Sequence, residues 1–546
     1  MIRQIIRKKN QWMRRSAAGG DRAWMSDWQV RRHSHAAGDK ANRWLVILLV
    51  VMSTPTARGE LTVADIFSDH MVLQAGIQRV PIWGRGHPGA GVEVRMHDRL
   101  VRTTVDTSGG WLVSLGRLEA DGKGVTLSVS SGEEHIVFED VIAGEVWLAS
   151  GQSNMGWQMK NSGKALPKIK TLLDAANHPL IRYRAVKTRE QRERQDRIGD
   201  GKGWTVCTPE HAASYSAVAF LFARCLHVEL DVPVGIIESA WGGHPIEPFI
   251  PRDAFQGHPV LEKIGRLSDV DDLAGVKALE GGVFARNGSW LAGRIYNSRI
   301  APVAPYGVRG AIWYQAESNC GKEEDPRFYT EKMRALVAGW RMAWNMPEMP
   351  VHFVQLPQFD SAGWVPMRDQ QRRAMQLPGS GMAVTIDLAV DGIHPNNKLD
   401  VAERLALWPL KHQYGRRLVE SGPLFRAMEV NGKAVEVSFS HLGGGLCTGR
   451  KTDLQPTELL EDNNVNGFEL CDVRGDWHPA KAIIEGEYVR CTSASVEQPM
   501  AVRYGYAAVM PDDAPWNLYN RAGLPASPFI SHPEHALYDP AYPTGE

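Results

Sequence analysis

A chain of 546 residues that is 43% hydrophobic and 23% charged is long enough for three or four folding units, and its balance excludes collagen-like, coiled-coil and wholly disordered classes. Its 62 Lys and Arg match its 62 Asp and Glu, so net charge argues against a polyanion-binding surface and no nucleic-acid partner is expected. The balance hides an asymmetry: residues 1–58 carry twelve basic and three acidic side chains, net +9, which leaves −9 for residues 59–546.

The basic head contains one apolar run, residues 44–52, too short to span a bilayer but of the length of a secretory h-region. Small residues follow it, and cleavage near Ala57 would release an acidic protein into the periplasm or beyond. Residues 1–58 therefore read as a signal peptide and basic leader, with Met25 an alternative start. The protein is expected to be exported and to keep no stable membrane span; a membrane anchor or a basic nucleic-acid arm are the alternatives.

Residues 59–143 show short alternating strands broken by Pro88-Gly89, Ser108-Gly109-Gly110 and Ser131-Gly132, the pattern of a β-sandwich module. Residues 144–421 change texture. Buried apolar runs at 146–149, 234–237, 311–314, 351–354 and 383–386 alternate with helical stretches, one capped by Ser216 and one starting at Asp400. The expectation is an α/β domain with a mostly parallel sheet. Residues 422–546 return to β alternation, either as a separate region or paired with the first. The run at 188–197 reads as a solvated loop or helix face. Six cysteines include no Cys-x-x-Cys pair, so no structural metal is expected; a Cys471–Cys491 bridge and buried free thiols both remain open.

In an open α/β sheet the residues just past each strand meet the ligand. Ser150-Gly-Gln152-Ser153-Asn154-Met155 follows the first run, and a hydroxyl on such a turn can be a nucleophile or simply a turn residue. No Gly-x-Ser-x-Gly elbow is present, which disfavours an ordinary α/β-hydrolase. Asp391-Gly-Ile-His394 follows the last run and could supply a base and its orienting carboxylate, or a cap beside a surface histidine, or metal ligands. Trp241-Gly-Gly243 and Gln315-Ala-Glu317-Ser-Asn319 follow the two runs between. Gly243 and Gln315 are the kinds of donor an oxyanion needs, although a turn and a satisfied strand end explain them equally well.

Together these blocks resemble the sialate O-acetylesterase family, carbohydrate esterases on an SGNH-hydrolase-like α/β core. The resemblance rests on Gly144-Glu-Val-Trp-Leu-Ala-Ser-Gly-Gln-Ser-Asn-Met155, Glu238-Ser-Ala-Trp-Gly-Gly243, Trp313-Tyr-Gln-Ala-Glu-Ser-Asn319 and Asp391-Gly-Ile-His-Pro395. Flanking segments at 66–74, 80–84 and 517–529 extend it over nearly the whole exported chain. It implies a three-layer core between β-rich flanks, with Ser153 as nucleophile, His394 as base and Asp391 as its carboxylate. It also implies an oxyanion hole of the Ser153 and Gly243 N–H groups with Gln315. Gln152, Asn154, Trp241, Glu317 and Asn319 would bind substrate or position the site. An O-acetylated sugar or glycan is the implied substrate, no metal or organic cofactor is required, and oligomeric state is left open. Two departures stand out: Ala316 where the family usually has Gly, and His244-Pro245 where a small hydroxyl residue is common. An acetyl-polysaccharide esterase, for instance on xylan, is the alternative activity. A non-catalytic sugar binder is the alternative class, since 18 Trp outnumber 14 Phe and aromatic faces suit sugar rings; metal-dependent deacetylation is a third.

Overall fold

The molecular description is a computed structural model covering residues 60–279, 290–320, 328–361, 363–388 and 392–532. The leader at 1–58, Asp391 and the end of the chain past 532 lie outside the described residues. Among the described residues no helix is long and apolar enough to cross a membrane.

The framework follows from one strand. Glu134–Gly151 runs for 18 residues, and its burial alternates at first and then becomes continuous from Val141 onward. Alternation marks a sheet with one solvated face, and continuous burial marks a strand covered on both. Its first half pairs antiparallel with Asp121–Ser131, which pairs in turn with Gly91–Met96. Its second half is central to a row of seven strands in the order Thr205–Cys207, His178–Ala185, Val234–Ala240, Glu134–Gly151, Gly310–Tyr314, Val351–Val354, Ser380–Ala383.

Neighbours in that row are parallel except at the Thr205–Cys207 edge. Because one strand serves both regions, the sheet as a whole has eleven described strands and is mixed, which corrects the expectation of a mostly parallel sheet. A second sheet of Thr62–Val63, Pro81–Arg85 and Gly110–Ser114 packs with the N-terminal region. The C-terminal strands form three sheets of their own, with five, three and four described strands, and do not pair with the N-terminal ones. One continuous apolar cluster joins these regions, from Leu61 to Phe529.

Local signals place the helices. Ser216 caps Ala217–Leu230 by accepting from the Ala219 N–H at 3.0 Å. The later helix is Lys398–His412, capped by Asn397, whose side chain accepts from the Asp400 N–H at 3.1 Å, so it starts two residues before the expected Asp400. The last core strand is Ser380–Ala383 and not 383–386. Val384 and Ile386 are still buried, but their stretch is held by side chains: the Thr385 hydroxyl donates to Gln355 O, and Gln358 donates to Ile386 O. All six cysteines are free, and Cys471 and Cys491 lie in different sheets, so the bridge left open by their positions is not formed.

Candidate active site

Register aligns the strand ends. Ala240 and Tyr314 both pair with Gly151, so the segments after three parallel strands emerge at one level. Gly151 has φ +135°, and a Cβ there would fall 2.1 Å from Tyr314 O, so only glycine fits this close approach. The Gln152 N–H then donates to Tyr314 O at 3.0 Å, and the Gly156 N–H closes the turn on Gln152 O at 2.9 Å. Ser153 stands on that turn, partly exposed.

His394 arrives from the segment before the Lys398–His412 helix, and its Nε2 lies 2.8 Å from Ser153 Oγ. The imidazole is stacked on Trp157, with centroids 4.6 Å apart and planes 21° from parallel. Burial pushes its pKa below the usual 6.5, and the positive charge of Lys398 adds to that. A neutral imidazole at neutral pH accepts the serine proton. His394 Nδ1 has no partner among the described residues; Asp391 lies outside them.

The Trp241–His244 segment covers the serine. The Trp241 N–H donates to Gly151 O at 2.9 Å, and a Cβ on Gly242 would lie 3.2 Å from Ser153 Cβ, so the first glycine of the pair is the one packed on the nucleophile. Gly243 is exposed with φ +72°. Among the described residues neither the Ser153 nor the Gly243 N–H has an internal acceptor. Trp241 carries the Arg299 guanidinium 3.9 Å above its ring; Arg299 is buried, donates to Ala240 O and Thr188 O, and is pushed down to about 10 by burial.

The third segment forms a buried floor. Gln315 is fully buried, and its amide donates to Asn319 Oδ1 at 2.8 Å, Gln152 Oε1 at 3.1 Å and His244 O at 3.3 Å, while its own Oε1 accepts from Tyr329 at 2.8 Å. Gln152 Oε1 also accepts from the Ser318 N–H at 3.2 Å. Asn319 accepts from the Ile246 N–H at 2.9 Å and donates to Glu247, which is ion-paired with Lys332. Both Gln315 and Asn319 therefore hold the surrounding segments in register. Ala316, the departure from the family's glycine, has φ +147°, a left-handed backbone that strains an L-residue between Gln315 and Glu317.

Asn154 and Glu317 belong to a further buried group. Asn154 Nδ2 donates to Glu317 Oε1 at 2.5 Å and to Ile393 O at 3.0 Å, and its Oδ1 accepts from Lys398 Nζ. Burial raises the Glu317 pKa, offset in part by the Asn154 contact. Burial pushes Lys398 down to about 7, offset in part by the Glu317 carboxylate. Trp157, Gly242 and Lys398 were not among the residues singled out in the sequence. Lys398, four positions past His394 on a helix start, offered the one local signal. Among the described residues no cluster of three or more His, Cys, Asp or Glu side chains could hold a metal ion.

Comparison with known proteins is consistent across sequence and structure. The family described as "Carbohydrate esterase, sialic acid-specific acetylesterase" matches residues 143–406. The sialate O-acetylesterase of Rattus norvegicus is 26% identical over 90% of this chain and 98% of its own length. The Homo sapiens sialate O-acetylesterase is 26% identical over 89% and 95%. The crystal structure of a carbohydrate acetylesterase from Xanthomonas citri superposes with a TM-score of 0.74 at 30% identity, covering 86% of this chain and 99% of that one.

Proposed function

Because the chain belongs to the sialic acid-specific carbohydrate acetylesterase family, we propose that it is a serine esterase that removes O-acetyl groups from sugars, acetylated sialic acid foremost. The observation that carries the reading is the 2.8 Å approach of His394 Nε2 to Ser153 Oγ at the aligned carboxyl ends of parallel strands. The strand order and this placement support an SGNH-hydrolase-like core within the mixed sheet.

His394 takes the Ser153 proton as Oγ attacks the acetyl carbonyl, and the resulting imidazolium then protonates the departing sugar oxygen. Water, deprotonated by His394, releases acetate and restores the serine. Asp391 is proposed to orient the imidazole through Nδ1. The unpaired N–H groups of Ser153 and Gly243 are proposed as oxyanion donors. Gln315, whose amide hydrogens are already engaged, acts by holding Gln152, His244 and Asn319 in place. The reading needs no metal or organic cofactor. Export through the 1–58 leader, a β-sandwich module at 59–143, a catalytic region at 144–421 and a β-rich region at 422–546 complete the proposal.

Ser153→Ala should abolish hydrolysis of an aryl acetate, by about a thousandfold or more, with an unchanged melting profile. A variant that kept more than about a thousandth of the rate would remove Ser153 as nucleophile. Acetate release from 9-O-acetylated sialic acid against acetylated xylan decides the sugar. Lys398 and Arg299 are both buried and occupied, so neither receives a substrate carboxylate.

A further inference from the structure

The Lys398 ammonium is expensive where it sits. It is fully buried, with no measurable exposure, and it occupies the first residue of the Lys398–His412 helix, where the positive end of the helix dipole disfavours a cation. No carboxylate lies within ion-pair distance of it among the described residues. Its contacts are the Asn154 amide oxygen and the face of Tyr314, whose ring centroid is 5.2 Å from Nζ. The titratable groups facing it are His394 on its own segment, Tyr314 on the central sheet, and Glu317 on the turn after that strand. A buried polar group retained at such cost needs a compensating role.

Asn154 supplies the geometry of that role. Its amide is a relay: the oxygen takes the lysine, and the nitrogen gives one hydrogen to Glu317 and the other to Ile393 O. Ile393 immediately precedes the base, and Asn154 immediately follows the nucleophile. The lysine thus fixes the rotamer of a side chain that, beside the Ser153–His394 bond and the Trp157 stack, ties the serine turn to the histidine segment. Resting on the Ser153–His394 reading above, we propose that Lys398 is a positioning residue that locks the serine and histidine segments together through Asn154 and sets its ammonium charge beside the base.

The role has two readouts that simple packing would not move. In Lys398→Met the charge is gone, so the acid limb of kcat/KM for p-nitrophenyl acetate moves to higher pH, because the imidazolium is no longer repelled. The plateau kcat falls roughly tenfold to a hundredfold from the loosened contact, with KM within about twofold. Lys398→Arg keeps the charge and holds the acid limb near its wild-type position. Should Lys398→Met fail to fold, Lys398→Gln removes the charge while its amide can still donate to Asn154 Oδ1, and it moves the limb in the same direction. An acid limb unmoved in Lys398→Met, or in Lys398→Gln where only that variant folds, overturns the proposal. An inactive wild-type enzyme on the aryl acetate overturns the esterase reading instead.

Discussion

Gly151→Ala is the sharpest test of how the sheet builds the site. The added Cβ meets Tyr314 O at 2.1 Å and Tyr314 C at 2.7 Å, and neither can rotate away because both are backbone of a central strand. The backbone at φ +135° adds about 1–3 kcal/mol of strain for an L-residue. Forcing a methyl into a packed contact adds about 1–3 kcal/mol more, so the loss of stability should be about 4 kcal/mol, a large part of the 5–15 kcal/mol typical of a folded protein. Relief requires the serine turn to lift off the Gly310–Tyr314 strand, which breaks the 3.0 Å bond from the Gln152 N–H to Tyr314 O. A shift of about 1 Å at Ser153 should cost about a hundredfold in kcat/KM. The control is Gly432→Ala, a turn glycine with φ +63° and nothing within 4 Å of its Cβ position; it should lose about 1–2 kcal/mol and keep full activity. Chemical denaturation and aryl-acetate kinetics on both variants give the answer. If Gly151→Ala is as stable and active as Gly432→Ala, the proposed coupling of strand spacing to nucleophile position is wrong.

The acid limb of wild-type kcat/KM should have its midpoint below the ordinary histidine value of 6.5, since burial and then Lys398 hold His394 neutral, and the rate is lost only as pH falls through that lowered value; a midpoint at or above 6.5 would show that burial and Lys398 do not dominate the surroundings of His394. His352 is buried between Trp147 and Trp408 and pushed down to about 4 by burial. The folded form therefore binds fewer protons than the unfolded one between pH 6.5 and 4. Its contribution is intact above 6.5 and falls by about 3 kcal/mol as pH drops to 4; His352→Gln should flatten that part of the stability curve, and an unchanged slope would assign acid sensitivity elsewhere. Prolonged chelation should leave acetate release unchanged, and loss restored by a divalent cation would favour the metal-dependent route. An organophosphate should label Ser153 stoichiometrically, which a pure sugar binder would not allow.

Much of this site was readable because three of its pieces directly follow buried strands. A short apolar run ending in a polar cluster reads as a strand end in an α/β sheet, and three such ends pointed to Ser153, Trp241 and Gln315, while His394 was reached from a run of which only Ala383 is strand. The readings that shifted depended on tertiary facts. Lys398 looks like an ordinary helical surface lysine until the sheet closes over it. Trp157 stacks on His394 across more than two hundred positions of sequence. The two glycines after Trp241 are chemically identical, and only the packing against Ser153 Cβ separates their roles. Residues 384–386 carry a strand's composition, yet Thr385 and Gln358 satisfy the backbone by side chains after the ladder stops at Ala383. The mixed sheet was hidden for a similar reason: the change from alternating to continuous apolar character near Val141 resembles a boundary between modules, whereas it is a change of environment along one strand.

That continuous strand has a consequence for how the molecule can be cut. A shortened chain beginning at residue 144 would start inside Glu134–Gly151, shedding the partner strands Asp121–Ser131 and Val72–Gln74 from the piece of backbone that delivers the nucleophile. The remaining stub would have lost the ladder that clamps its upstream end, and the apolar faces it shared with the N-terminal sheet would be bare to water. The N-terminal region is therefore less an accessory attached to an enzyme than the far end of the same beam. Trimming it should lower the yield of soluble protein before it touches any residue of the site.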